Sequence, residues 1–340
     1  MSWLVYGAYG YTGELVARLA VARGERPVLA GRDAARVRAL ADELGLEHRV
    51  FDLAGIDLTG VDVVAHCAGP FSATARPMVE ACLAAGVHYL DVTGEIDVFE
   101  DVFTRHDEAV ARGVVLLPGA GFDVVPTDCL AAMLAAALPG ATELDLAFRV
   151  GGGLSRGTAM TSLESVAVGG RVRIDGKITG VPLAHRRRTV PFASGPRTVP
   201  AIPWGDVSTA YRTTGIPTIT TYGDIPTRGA GVFRIPAVRG LARFAAGAVM
   251  TGPGRRRRER TGCEVWGEAR DAAGDAVTAS LTGPNPYDLT ADSVVRAAGR
   301  ITRAEPGAHT PATAFGADFV TELDGVTVQK PSPPDRRGAR

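Results

Sequence analysis

Short apolar runs alternate with amphipathic stretches along the first 120 residues of the chain. Each run is bounded by glycine, proline or charged residues, as expected of a strand that is buried on both faces. The pattern predicts strands at 3–7, 27–30, 48–51, 61–65, 89–92 and 114–117, and helices at 12–22, 33–44, 73–85 and 96–112. Strands and helices in this alternation predict an α/β fold with a doubly wound parallel sheet of the Rossmann type.

After residue 125 the pattern changes to longer stretches in which apolar and polar residues alternate. Such stretches are typical of strands in an antiparallel or mixed sheet with one face toward solvent. They predict strands at 142–150, 211–214, 218–222, 261–270 and 276–281, and helices at 158–168, 233–250 and 288–303. Ala273-Gly274 is placed to join the last two strands as a hairpin. We therefore predict a second, α+β domain built on a mixed or antiparallel sheet.

The change of pattern sets the expected domain boundaries. We predict a Rossmann domain over residues 1–125, a substrate and dimerisation domain over 126–300, a segment over 301–330 that returns to the first domain, and a disordered tail over 331–340. Two arginine runs, 186–188 and 255–258, stand beside prolines and glycines. They are interpreted as solvated loops, with contact to an anionic ligand or a partner as the alternative.

Composition narrows the function classes. The 340 residues carry a formal net charge of zero, which gives no electrostatic reason to expect nucleic acid or an anionic membrane as partner. The four cysteines are widely spaced, so neither a disulfide framework nor a structural zinc site is expected. The first residues lack a secretory pattern, and the apolar run 130–138 is too short to span a bilayer. A cytoplasmic protein with no transmembrane segment and no metal site is expected.

A glycine-rich segment, GAYGYTG at 7–13, follows the first predicted strand and opens the first predicted helix. In a dinucleotide-binding loop one glycine permits the tight turn, one lets the backbone approach the pyrophosphate, and one allows close packing of helix on strand. The helix N-terminus then offers N–H groups and the positive end of its dipole to the phosphates. The predicted cofactor-binding residues in this loop are Gly7, Tyr9, Gly10, Tyr11, Thr12 and Gly13.

The end of the second strand selects between NAD and NADP. NAD sites usually place a carboxylate there to hold the ribose 2′-hydroxyl. This chain has Gly31 and Arg32 instead, and a guanidinium pairs well with a 2′-phosphate. Asp33 is better placed as the N-cap of the next helix. The sequence therefore favours NADP(H) over NAD(H).

Two further loops belong to the same expected site. Asp52 follows the third strand, where its side chain is placed either to meet the adenine amino group or to cap the strand end. Residues 67–71 end the fourth strand at the crevice outside the carboxyl ends, where such sheets bind ligands. Cys67 is interpreted as a small filler. Cofactor contacts in this loop are predicted at Ala68, Gly69, Pro70 and Phe71.

Segments along nearly the whole chain form one combination: GAYGYTG (7–13), LAGR (29–32), CAGPF (67–71), HYLDVTGE (88–95), PGAGFDVVPTD (118–128), SRGTAMTSLES (155–165), PWGDVSTAYRTTGIP (203–217) and HTPATAFGADF (309–319). Together they resemble the saccharopine dehydrogenase-like oxidoreductase family. The closer resemblance is to its bacterial branch that includes trans-acting enoyl reductases of polyketide and lipid assembly. The resemblance implies a Rossmann domain, an inserted substrate domain and a homodimer, and it leaves the substrate open among amino acids, imines and enoyl chains.

Hydride transfer requires a placed nicotinamide, a dry crevice and a proton source. A Tyr-x-x-x-Lys pair, a metal motif and a G-x-S-x-G motif are all missing from the sequence. Polar side chains after the fifth and sixth strands are the candidate proton donors: Tyr89, Asp91, Thr93, Glu95, Asp123 and Asp128. Tyr89 and Asp91 are the predicted catalytic residues, and His66, His88 and His309 are interpreted as structural. Substrate contacts are predicted at Phe122, Asp123, Arg156, Trp204 and Tyr211.

Three functions remain open at this point. The first is an NADPH-dependent reductase of a C=C bond in an acyl or polyketide-type substrate, either a small molecule or carrier-bound. The second is a saccharopine dehydrogenase-like C–N oxidoreductase, for which Arg156 and Arg212 are candidate clamps of substrate carboxylates. The third is an NADP-binding protein without catalysis.

Overall fold

A computed structural model describes residues 1–151, 153, 155, 169–224 and 252–331. The chain forms two compact units, residues 1–122 with 287–315 and residues 123–286 with 316–340. Compact units of one chain need not be independently folding domains, so the domain boundaries given above stay predictions. The predicted helices at 158–168 and 233–250, and the predicted tail beyond residue 331, lie outside the described residues.

The first unit is built on a parallel sheet of seven strands. Their order across the sheet is β15-β6-β5-β4-β1-β2-β3. The strands are β1 (Trp3–Tyr6), β2 (Val28–Gly31), β3 (His48–Val50), β4 (Val63–His66), β5 (His88–Asp91), β6 (Val115–Leu117) and β15 (Gly307–Ala308). The central strands are buried throughout, as expected of a sheet covered on both faces. The predicted α/β Rossmann fold is confirmed.

The helices of this unit lie between its successive strands or on either side of β15 in the chain. They are α1 (Tyr11–Ala22), α2 (Ala34–Leu44), α3 (Phe71–Ala85), α4 (Ile96–Phe103), α5 (His106–Arg112), α9 (Pro286–Ala298) and α10 (Pro311–Phe315), with a 3₁₀ turn at Ile301–Arg303. The single helix predicted at 96–112 is wrong, because the chain breaks at Thr104, whose hydroxyl donates to the Asp101 carbonyl at 2.6 Å. The helix predicted at 288–303 ends at Ala298, before Gly299.

The second unit is built on a mixed sheet in the order β16-β14-β13-β7-β12-β8-β9. Only β7 and β12 run parallel to each other within it. Its strands are β7 (Ala141–Val150), β8 (Gly170–Ile174), β9 (Lys177–Val181), β12 (Thr218–Gly223), β13 (Cys263–Asp271), β14 (Ala276–Gly283) and β16 (Thr327–Gln329). A hairpin of β10 (Arg187–Phe192) and β11 (Gly195–Pro200) packs on it through a buried cluster that includes Val190, Tyr222 and Trp266. The predicted mixed sheet is confirmed.

Helices complete the second unit: α6 (Val125–Ala137), α7 (Asp206–Thr214), α8 (Arg255–Arg258) and a 3₁₀ helix at Ala317–Glu322. The largely buried α6 packs against β13, β14 and α7. At β13 the packing is close, since a Cβ on Gly267 would lie 2.7 Å from Cδ1 of Leu134. Within the described residues, no helix has the length and apolar character needed to cross a bilayer.

Three sequence-based predictions in the second unit are wrong. Residues 211–214 form the last turn of α7 instead of a strand, and Thr214 donates to the Ala210 carbonyl one turn back at 2.6 Å. The arginine run at 186–188 enters strand β10, where Arg188 pairs with Asp145 and Glu268. The run at 255–258 is the one-turn helix α8, and it buries no side chain. Tertiary contacts override local propensity at Arg188, whereas the run at 255–258 is largely exposed, as expected, and differs from the predicted loop only in its helical backbone.

Candidate functional site

The glycine-rich loop after β1 presents bare backbone at the carboxyl end of the parallel sheet. The Gly10 amide donates to the Gly7 carbonyl at 2.9 Å, which closes the tight turn. A Cβ on Gly13 would lie 2.3 Å from the Gly7 oxygen, and one on Gly7, whose φ is +80°, would lie 2.8 Å from Cβ of Ala68. Side chains are therefore excluded at both positions, and the resulting cradle fits a diphosphate, as the loop sequence predicts.

Helix α1 begins directly after this cradle. Its N-cap is Gly10, which has no side chain to cap the helix. The positive end of the helix dipole is thus directed at the loop rather than neutralised by a capping carboxylate. Glu14 in the first turn pairs with Arg18 at 2.9 Å.

Arg32 and Asp33 occupy the selector position after β2. Arg32 is exposed and has no hydrogen-bond or ion-pair partner in the described part of the chain. Asp33 caps α2, its Oδ1 accepting from the Arg36 amide at 3.1 Å, which confirms its expected role as an N-cap. A guanidinium, not a carboxylate, is therefore available to meet the ribose.

Asp52 lies in the loop after β3 and is exposed. Its Oδ1 accepts from the backbone amides of Ala54 at 2.9 Å and Gly55 at 3.2 Å. These bonds match the capping alternative, and contact with adenine stays a prediction.

The loop at 67–71 follows β4 and leads into α3. Ala68 contacts the Gly7 position, so this loop and the glycine-rich loop share one edge of the sheet. Glu95, one of the candidate proton donors, instead caps α3: its carboxylate accepts from the amides of Phe71 at 2.9 Å and Ser72 at 2.8 Å. Cys67 is partly buried, and desolvation raises the pKa of its thiol to about 12, which fits a filler rather than a nucleophile.

Asp91 ends β5 and is fully buried. Its Oδ1 accepts from the amides of Thr93 at 2.9 Å and Gly119 at 2.8 Å, and its Oδ2 accepts from the Tyr89 hydroxyl at 2.7 Å. Burial raises the pKa of the Asp91 carboxyl to about 6, although these three bonds act in the opposite direction. Asp91 thus ties the loops after β5 and β6 together and joins them to Tyr89.

His66 extends this cluster toward the loop at 67–71. Its Nδ1 lies 3.4 Å from the Tyr89 hydroxyl and its Nε2 lies 3.3 Å from the Ala68 carbonyl oxygen. Burial lowers the pKa of the imidazole to about 4, so the ring is neutral at pH 7. Because the Tyr89 hydroxyl gives its single proton to Asp91, the neutral His66 ring donates through whichever nitrogen carries its proton, Nε2 to the Ala68 carbonyl or Nδ1 to the Tyr89 oxygen.

The two predicted catalytic residues are brought together, but neither is exposed: both side chains are 0% accessible. Burial also raises the pKa of the Tyr89 hydroxyl well above its ordinary value. Their arrangement suits holding loops in position better than direct contact with substrate, and their catalytic role stays a prediction. Thr93 is likewise buried and accepts from the Glu95 amide at 3.1 Å.

The predicted substrate residues are divided between the two units. In the first, the Phe122 amide donates to Oγ1 of Thr290 at 3.0 Å. In the second, Nε1 of Trp204 donates to the Asp123 carbonyl at 2.9 Å. Desolvation raises the pKa of the Asp123 carboxyl to about 7. The guanidinium carbon of Arg173 lies 4.1 Å from the centre of the Tyr211 ring. Arg156 lies outside the described residues.

A second group of carboxylates lies inside the second unit. Asp206, at the start of α7, accepts from the Thr127 hydroxyl at 2.6 Å, and Asp128 accepts from Thr213 at 2.5 Å. Both carboxylates are fully buried. The sequence analysis named Asp128 as a candidate donor and did not single out Asp206. Among the described residues, no cluster of three or more histidine, cysteine or acidic side chains is arranged to hold a metal ion.

Known proteins resemble the chain most clearly in its first unit. Residues 3–117 match the family model of the saccharopine dehydrogenase NADP binding domain. The resemblance inferred from the sequence is confirmed. So is the class of cofactor, a nicotinamide dinucleotide, and the cradle described above is the part of this segment that fits its diphosphate.

Two curated relatives match part of the chain. A Mycobacterium tuberculosis protein, whose name includes the words trans-acting enoyl reductase, is 34% identical over 47% of this chain and 43% of its own length. The trans-acting enoyl reductase of Mycobacterium ulcerans is 31% identical over 37% of this chain and 33% of its own length. The chain therefore matches less than half the length of either relative.

One solved structure shares the fold of nearly the whole chain. The structure of apo saccharopine dehydrogenase (L-Glu forming) from Saccharomyces cerevisiae aligns with 96% of the present chain and over 99% of its own length, with a TM-score of 0.62. At 11% sequence identity this likeness is one of fold alone.

Proposed function

We propose that the chain is an NADPH-dependent oxidoreductase that reduces a C=C bond of an acyl or polyketide-type substrate. The observation that carries the proposal is the backbone cradle formed by Gly7 and Gly13, where a Cβ would lie 2.3–2.8 Å from neighbouring atoms. The partial matches to proteins named as trans-acting enoyl reductases support the type of reaction.

The glycine-rich loop, Arg32 and the loop at 67–71 each have a task in this proposal. The glycine-rich loop holds the diphosphate, and Arg32 holds the 2′-phosphate, since Asp33 is engaged as a helix cap. The loop at 67–71 supports the nicotinamide half. The bound cofactor supplies the hydride, and the chain supplies placement, exclusion of water and a proton.

The proton source proposed here is Asp123 rather than the buried pair of Tyr89 and Asp91. Asp123 is half-buried, so its carboxyl is shielded from bulk water without being sealed off. A pKa of about 7 suits a general acid that works near neutral pH. Tyr89 and Asp91 then act as positioning residues, because Asp91 holds the loop that leads to Asp123 through the Gly119 amide.

The substrate is proposed to be an α,β-unsaturated acyl thioester, free or on a carrier. The purified chain should oxidise NADPH, followed by absorbance at 340 nm, with a medium-chain enoyl thioester and should be inactive with an imine of similar size. Turnover of the imine alone would replace the proposal with C–N reduction. Failure of both, with NADPH bound, would favour a non-catalytic role. Self-association through the second sheet stays a prediction, testable by sedimentation.

A further inference from the structure

A second arginine lies one helical turn beyond Arg32. Arg36, in the first turn of α2, is exposed, and its guanidinium carbon lies 4.5 Å from the centre of the Tyr9 ring. Its Nη2 donates to the Tyr9 carbonyl oxygen at 3.1 Å. Stacking and hydrogen bonding to one residue hold the guanidinium in a defined place, while most of its N–H donors remain available to a ligand.

Tyr9 is itself held in place by the end of β2. A Cβ on Gly31 would lie 2.6 Å from Cε1 of the Tyr9 ring, so the absence of a side chain at Gly31 makes room for the ring. The ring therefore joins the glycine-rich loop to the strand end that carries Arg32. Arg32 and Arg36 are in this way placed on either side of one turn, next to the cradle for the diphosphate.

The charge of this turn favours a dianion. Arg32 and Arg36 contribute two positive charges, and Asp33 contributes one negative charge. The Asp33 carboxylate accepts from the Arg36 backbone amide, and neither guanidinium forms an ion pair with it in the described part of the chain. Asp33 therefore does not neutralise the two cations, and the Arg36 guanidinium is held at the Tyr9 carbonyl and ring.

We propose that Arg36 is a specificity-determining residue for the phosphorylated dinucleotide: together with Arg32 it clamps the 2′-phosphate, and the Tyr9 ring holds it in position. The inference rests on the proposed function, because it needs the cofactor to bind at the glycine-rich loop. It adds a phosphomonoester contact that lies on a helix and not at the strand end where such contacts are usually sought.

Binding measurements on the full chain test this inference without relying on turnover. NADPH and NADH are titrated by their fluorescence, and 2′,5′-ADP, which carries the ribose phosphate without the nicotinamide, is titrated by calorimetry. Arg36→Gln should lower the affinity for NADPH and for 2′,5′-ADP about tenfold, and it should leave the affinity for NADH within about twofold of wild type. Arg36→Lys, which keeps the charge without the planar fork, should fall between wild type and Arg36→Gln.

Two matched controls sharpen the result. Arg38→Gln removes the same charge from an exposed position two residues further along α2 and should leave the affinities for all three ligands unchanged. As the second control, Tyr9→Leu removes the ring that holds the Arg36 guanidinium and should weaken the binding of NADPH about threefold more than the binding of NADH.

The outcomes separate this inference from the function on which it rests. An unchanged ratio of NADPH to NADH affinity in Arg36→Gln would overturn the clamp while leaving the oxidoreductase proposal in place. Equal weakening of NADPH and NADH would also overturn it, since Arg36 would then support the loop and not the phosphate. Failure of the wild-type chain to bind either dinucleotide would overturn both.

Discussion

The two units bury carboxylates in different ways, and the difference shows what controls the pKa of a buried acid. Asp91 in the first unit accepts three hydrogen bonds, and burial raises its pKa only to about 6. Asp206 in the second unit accepts one side-chain hydrogen bond, its Oδ2 has no partner among the described residues, and its pKa is raised well above the ordinary value. Both are 0% exposed, so burial alone does not separate them: Asp206 has fewer donors, and the nearby carboxylates of Asp128 and Asp123 raise its pKa further.

The consequence is that the hydrogen bonds in the first unit favour the ionised form of Asp91, whereas burial in the second unit favours the protonated form of Asp206. An ionised acid with three donors fixes loops at the sheet edge, where the proposed cofactor binds. A protonated acid does little to hold loops in place, but it makes the stability of the unit depend on pH. The following changes test this contrast, beginning with the backbone cradle that the first unit alone provides.

The largest effect is expected from Gly13→Ala. The new Cβ would lie 2.3 Å from a backbone oxygen, so the loop must shift, and we expect NADPH affinity to fall at least about 100-fold with a loss of about 3 kcal/mol in stability. Fluorescence titration and denaturant unfolding measure the two effects. Gly55→Ala, where a Cβ meets nothing within 4 Å, should change neither. Retained NADPH binding in Gly13→Ala would locate the cofactor elsewhere.

The next largest effect is expected from Asp91→Ala. It leaves the amides of Thr93 and Gly119 buried without an acceptor, at a cost of about 3 kcal/mol in the free energy of unfolding. Asp91→Asn should cost about 1 kcal/mol or less, because the amide oxygen can keep both backbone donors while its nitrogen donates to Tyr89. Denaturant unfolding distinguishes the two variants, and equal losses would contradict the assigned geometry.

A smaller loss of stability is expected from Arg188→Met. The guanidinium carbon of Arg188 lies 4.7 Å from the centre of the Trp266 ring. The guanidinium also pairs with Asp145 and Glu268, whose side chains are 20% and 15% exposed. Removal takes from Asp145 its ion pair with Arg188 and leaves Glu268 paired with Arg270, and a loss of about 2 kcal/mol is expected. The exposed pair Arg255–Glu259 provides the control, since Arg255→Met should cost less than about 0.5 kcal/mol. Similar losses in chemical denaturation would show that the pairing at Arg188 is as weak as one in solvent.

The smallest effect near pH 4, but the most specific one across the pH range, is expected from Asp206→Asn. Because the folded-state pKa of Asp206 is raised, its contribution to stability is fully present below the unfolded pKa near 4 and is lost as pH rises through the folded pKa. The variant should therefore gain stability relative to wild type as pH increases from about 4 to 9. Melting temperatures across this range check it, and a constant difference would show that Asp206 is already ionised.

Sequence pattern and motif identify the first unit far better than the second. The strand–helix alternation and the glycine-rich loop depend on local spacing, so β1, α1 and the cradle follow from neighbouring residues. The strands β8 to β11 were missed, since their alternation is interrupted by glycine and proline. The hairpin of β10 and β11 is held by packing on Trp266 and Tyr222, which lie far away in the sequence. Arg36 was missed because its contact partner, Tyr9, is 27 residues away in sequence.

The sequence by itself determined the Rossmann architecture, the predicted place of the diphosphate and the presence of a guanidinium instead of a carboxylate after the second strand. These properties depend on backbone conformation and on the residue type at one position of a repeated unit. The tertiary structure alone decided which polar side chains are buried, how many donors each receives and which arginine lies beside the predicted 2′-phosphate site. Burial and pairing arise between residues far apart in the chain, and local pattern carries no information about such distances.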